Sequence, residues 1–382
     1  MRDFRTNLIG TSGLAAMEDG AYGKAANQFY TALLADENNR AAWEGLAFAF
    51  HFMRAEKEVR TALARYALSG AGYSDELAAM ACHTFQNDVD TLLQWLLLVS
   101  RKKGATPAEK QKLTGLVSQI RAIVRESASS SPRHDEERLT LEAQADQSIS
   151  LDILKDMLPD EAVQYVAGWA NHPAMAASAI EILACLPEPK SETLLRRICR
   201  NPEVAPSVKT GALLAMRWIG LKGNVRLSKF GRDYIVSLDH PEPELDAALP
   251  ADFKTVYDWV GLWIMWKKGE ISEQQFAAYT EEGIPEERLN QADIAGLRAD
   301  LNIIDFILRQ TFLHYYPELP AVPPEERRIW GAALLDLLRE LAESSAPLAY
   351  QTPGLDAAAQ ARKSWLLAAI PDFDKAKLPD RP

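Results

Sequence analysis

Along nearly all of this chain, apolar residues recur at spacings of three and four, and runs rich in Ala, Leu, Glu and Lys alternate with short Pro, Gly or Asn breaks. That spacing places the apolar side chains on one stripe of a helix. The spacing of two that builds a half-buried strand is all but missing, so the chain is read as all-α. Residues 232–238 (RDYIVSL) have the β-branched and aromatic content of a strand. Standing alone between Gly231 and the prolines at 241 and 243, they are expected to be a loop or a helix end, since one strand makes no sheet.

At 382 residues the chain exceeds what one core usually organises, so two or three domains are expected. Residues 126–138 (ESASSSPRHDEER) offer nothing to bury and read as a linker. A second concentration of breakers falls in 223–250, read as an irregular connection. Helical blocks are therefore expected over 1–125, 139–222 and 251–382.

Charge differs between the sides of the linker. Residues 1–125 hold 15 basic and 13 acidic side chains, a net of +2, and residues 126–382 hold 27 and 40, a net of −13. The whole chain, at −11, is poorly suited to binding that rests on neutralising phosphates, so nucleic acid is not the expected partner. Three cysteines, at 82, 185 and 199, are too few for a disulfide framework. The first twenty residues lack the apolar core of a signal peptide, and no apolar run approaches a membrane span. A cytoplasmic protein with no membrane partner is expected.

Two stretches repeat internally. Gly20, Tyr22, Ala25, Phe29, Ala32 and Leu33 fall at tetratricopeptide spacings, and Trp43, Leu46, Ala47 and Phe50 stand in register in the next unit, which starts near Arg40. Residues 6–68 thus resemble the tetratricopeptide repeat family, although Glu37 replaces the usual proline and residues 57–68 depart from the pattern. The bland alternative is an Ala-rich helical hairpin. More weakly, residues 160–220 are similar to HEAT-like repeats. Ala179 aligns with Ala212 and Leu183 with Met216, and Lys209 stands at the family's basic position, where the first unit has Ala176. Any stacked pair of helices could look the same. Both resemblances imply a helical-repeat superhelix, or solenoid, of antiparallel helix pairs.

Local signatures of catalysis are missing. The chain has no H-E-x-x-H, Walker, G-x-S-x-G or dinucleotide-binding motif, and of six scattered histidines only His83 adjoins a second potential ligand, Cys82. Neighbours on a helix point about 100° apart, which makes that pair a poor chelate. No cofactor and no metal are expected.

Two further stretches stand out. Trp259, Trp263 and Trp266 form a stripe at i, i+4 and i+7; with Val260 and Ile264 apolar on the other side, the helix reads as buried nearly all round. A ligand groove there would need one Trp exposed. Between residues 101 and 125 lie seven basic side chains (Arg101, Lys102, Lys103, Lys110, Lys112, Arg121, Arg125) against Glu109 alone. They read as a solvated helix face, with an anionic partner as the alternative.

A superhelix of paired helices offers a long inner wall for a peptide or a partner's helix, so a non-enzymatic protein-interaction or scaffold module is expected. The tetratricopeptide register puts Asn7, Gly10, Leu14 and Met17 of the first unit on that wall, beside Ala41, Glu44, Phe48 and His51 of the second. Family members that clamp a terminal carboxylate use Lys, Asn and Arg there. Matching positions here include Gly10, Leu14 and Gly45, so the resemblance implies an apolar ligand. The competing enzyme reading, a HEAT-like DNA glycosylase, is opposed by the acidic charge of the half that would carry it. In a mobility-shift assay at about 150 mM salt the protein should not bind duplex DNA with sub-micromolar affinity.

Overall fold

A computed structural model describes residues 12–86, 88–128, 140–247, 249–283, 294–342 and 351–370. The fold is mostly helical, and one two-stranded hairpin is the only sheet among the described residues. The chain forms two compact units. One holds residues 1–204 and 211–226, and the other holds 205–210 and 227–382.

In the first unit, α1 (residues 12–18) is followed by α2 (Tyr22–Ala35), α3 (Arg40–Phe52), α4 (Glu56–Leu68), α5 (Asp75–Thr84), α6 (Val89–Val99) and α7 (Pro107–Ala128). Short connections fold successive helices back on one another. Starts are set by side-chain caps: Asn39 accepts from Ala42 N, Ser74 from Leu77 N and Asp88 from Thr91 N. Phe29 of α2 is buried where Gly13 of α1 and Gly45 of α3 bring no side chain; a Cβ on either glycine would collide with its ring. Trp43 is tied by its indole N–H to Glu37 O at 2.8 Å, so the turn between α2 and α3 anchors the start of α3 through a carbonyl. Phe50, Leu63, Tyr66 and Trp95 complete a dry core.

Residues 126–128 end α7, 129–138 lie outside the described residues, and the chain on both sides belongs to one compact unit. Long-range polar contacts hold that unit together. Beyond α8 (Leu141–Ala145), a 3-10 turn at Ser150–Lys155 presents Asp152 to α2 and α4. Arg65 of α4 donates to both Asp152 oxygens at 2.9 and 2.7 Å, to Ala145 O at 2.9 Å and to Gln147 O at 2.7 Å. Tyr30 of α2 donates to Asp152 at 2.6 Å. Helices α9 (Pro159–Ala170), α10 (Ala176–Leu183), α11 (Pro189–Arg200) and α12 (Pro206–Trp218) follow. Gly23 allows α2 to meet the carbonyl of Ala184, which a Cβ would strike, and Asn27 donates to Cys185 O at 2.9 Å.

The stretch 223–250 is not wholly irregular. Strands β1 (Asn224–Lys229) and β2 (Arg232–Ser237) pair as a hairpin, so residues 232–237 are a strand rather than a loop or helix end. Phe230 and Gly231, at φ 51° and 75°, supply the positive dihedrals a tight hairpin turn needs. The second unit also contains α13 (Ala251–Lys267), α14 (Glu273–Glu282), α15 (Ile294–Tyr315), α16 (Arg327–Ala342) and α17 (Ala357–Ala368).

Asp152 supplies the measurement that tests this account. Burial opposes its charge, but hydrogen bonds from Arg65, Lys155, Tyr30 and Ile149 N together hold its pKa well below the ordinary value. Asp152→Asn should cost about 2–4 kcal/mol at pH 7 in denaturant unfolding, since it leaves a part-buried guanidinium without its carboxylate. A depressed carboxylate stabilises the fold above its unfolded pKa. The difference between wild type and variant should therefore be constant above about pH 5 and shrink as pH falls below about 4.

Candidate functional site

Helix α3 presents two contrasting faces. Trp43, Leu46 and Phe50 are buried, whereas Phe48 is half-buried and His51 exposed, the contrast that helical spacing predicts. Of the other expected wall residues, Leu14 is 57% exposed, Ala41 is exposed, and Met17 and Glu44 are half-buried. Asn7 and Gly10 lie outside the described residues. Glu44 faces Arg40 across one helical turn at 3.3 Å, so the acid on this face has an internal counter-charge.

Phe52, absent from the expected wall, is 49% exposed and stacks on Tyr22 at 5.0 Å and 17°. His51 meets its edge at 5.8 Å. His51 is exposed at its surface, yet partial desolvation of its ring first, and the charge of His83 second, lower its pKa, so these histidines of α3 and α5 lie within electrostatic reach. Beside His83, the half-buried Cys82 thiol is pushed up by burial and drawn part of the way back by Lys112 of α7. Sequence reading did not place α5 beside α3, because α5 has none of the Trp and Phe side chains that stand in register on α2 and α3. Spacing was the available signal: α3, α5 and α7 start at residues 40, 75 and 107, and α2, α4 and α6 at 22, 56 and 89.

The basic stretch is not uniformly a solvated face. Lys110, Lys112 and Arg121 are exposed on α7, and Arg101 and Lys103 are exposed before it. Lys102 is instead buried, donating to Ser69 O at 2.7 Å and Ala71 O at 3.1 Å just past the end of α4, with its ammonium 4.6 Å from the Tyr66 ring. In the tryptophan stripe Trp259 is buried, but Trp263 and Trp266 are half-exposed, so α13 is not buried all round. Among the described residues, no group of three or more His, Cys, Asp or Glu is placed to hold a metal ion, and no helix is long and apolar enough to cross a membrane.

Compared with known proteins, the chain matches no family model, no curated protein and no solved structure.

The histidine pair can be followed directly. In an NMR titration the imidazole of His51 should titrate below the ordinary value of 6.5. His83→Ala should move it part of the way back up, because burial remains and only the neighbouring charge is removed. An unmoved titration would mean that α3 and α5 do not share this face.

Proposed function

We propose that the first unit is a non-enzymatic protein-interaction module, a tetratricopeptide-like superhelix that holds an apolar peptide or a partner's helix on the face of α1, α3 and α5. One observation carries this reading. Leu14, Phe48 and Phe52 keep part of their apolar surface in water on helices whose other sides form a dry core. Single exposed apolar residues are ordinary on protein surfaces, but a set of them on helices in repeat register marks a binding wall. Support comes also from the spacing of the helix pairs, where α2, α4 and α6 begin 34 and 33 residues apart. The partner is a protein or peptide, and neither nucleic acid nor a membrane enters this reading.

Phe48 and Phe50 separate binding from folding. Phe48→Ala should weaken capture of the partner, measured as the difference between wild-type and variant baits in affinity capture with mass spectrometry. Its thermal stability should be nearly unchanged, while binding falls by the roughly 2 kcal/mol that an anchoring aromatic contributes. Phe50→Ala should cost on the order of 3–5 kcal/mol of folding stability through the cavity it leaves. If both variants melt equally early, Phe48 belongs to the core and the wall lies elsewhere.

A further inference from the structure

In the second unit, α13 ends in a corner of aromatic rings. Trp259 anchors it from behind: it is buried, and Gly331 of α16 lies so close beneath its indole that a Cβ there would collide with the ring. Trp263 stacks on Trp259 at 5.3 Å and 25°, and its indole N–H donates to Gln351 O at 3.0 Å. Trp266 stands perpendicular to Trp263, with ring centres 5.1 Å apart and planes at 85°. From α14, Phe276 stacks on Trp266 at 4.8 Å and meets Trp263 edge-on at 5.9 Å. These contacts hold the two half-exposed indoles at a right angle independently of any ligand.

The corner already holds a cation. The ammonium of Lys267 lies 3.3 Å from the centre of Trp266 and 4.8 Å from that of Trp263. Among the described residues it makes no salt bridge. Indole faces attract its charge through their quadrupole but accept hydrogen bonds poorly, so the N–H groups turned toward the rings are badly served there. A methylated ammonium carries the same charge with fewer N–H groups or none, is weakly hydrated, and presents methyl groups to both rings. It fits the corner better than the lysine that fills it.

We propose that the Trp263–Trp266 corner is a binding site for a quaternary or methylated ammonium group, occupied by Lys267 until such a ligand displaces it. This proposal does not rest on the binding wall of the first unit.

Choline chloride is the probe, and 3,3-dimethylbutanol, of the same shape without the charge, is its control. In isothermal titration calorimetry, Lys267→Ala should bind choline about tenfold more tightly than wild type, because the internal competitor is gone. The neutral alcohol should bind at least about tenfold more weakly than choline, since an attraction to ring faces requires the charge. Adding Trp266→Leu to Lys267→Ala should abolish binding. As that change also removes the partner of Phe276, the indole N–H resonance of Trp266 in Lys267→Ala gives an independent reading and must shift on titration with choline. Phe48→Ala should leave every one of these responses unchanged. The proposal fails if Lys267→Ala binds choline no better than wild type, if the alcohol binds as well as choline, or if the Trp266 resonance stays still.

Discussion

The guanidinium of Arg65 directs Nε to Ala145 O, Nη1 to one oxygen of Asp152, and Nη2 to the other oxygen and to Gln147 O. A planar fork of this kind matches a carboxylate at two points, and its remaining donors reach carbonyls that an irregular segment leaves unpaired. Residues 145–152 can therefore lie against α4 without a ladder of their own. Tyr30 closes the same carboxylate from α2, and its phenol is held well above its ordinary pKa by burial and then by its hydrogen bond to Asp152. Farther along α2, Gly23 and Asn27 meet residues 184 and 185, so the same helix is tied to the chain on both sides of α9 and α10. Apolar packing alone would let the segment slide. A bidentate ion pair with three further hydrogen bonds fixes one register.

Buried lysines do a related job at the ends of helices. The last carbonyls of a helix have no partners within it and carry the negative end of its dipole, so a buried end needs a cation or several donors. Lys102 supplies this just beyond α4, and although burial lowers its pKa to about 8, it remains protonated at neutral pH. In the second unit Lys229 is buried and donates to the carbonyls of Leu313, His314 and Tyr316 at 2.9, 3.0 and 2.9 Å, and also to Thr210. Lys363 instead joins α17 to α16 through Asp336 at 2.6 Å and Glu340. The counter-charge differs because Lys102 and Lys229 meet helix ends, where carbonyls are free, while Lys363 meets the side of a helix, where only side chains are.

Helices were legible because burial of one stripe is a local property, repeated every 3.6 residues, and the exposure of Phe48 against Phe50 follows from the same geometry. The hairpin was not. Its second strand showed a strand's composition but had no visible partner: in NVRLSK the alternation breaks at Lys229, which is buried, and burial of Lys229 depends on carbonyls more than eighty residues away. The tie between the chain before residue 126 and the chain after residue 138 was illegible for a parallel reason. Composition reports whether a segment has anything to bury, not whether the chain on either side is tied together, and the pairing of Arg65 with Asp152 spans 87 positions.

Stacked helix pairs have two broad faces, and in the first unit these faces are used differently. Side chains of α2 and α4, among them Asn27, Tyr30 and Arg65, are engaged with residues 145–185. On α1 and α3, by contrast, Leu14 and Phe52 remain 57% and 49% exposed, with His51 exposed beside Phe52. Exchanging these residues for polar ones would remove little from the core, so folding does not require them to be apolar. Under the proposed reading they serve binding: a leucine and a pair of stacked rings form a surface of low polarity, and such a surface gains most when another molecule displaces its water.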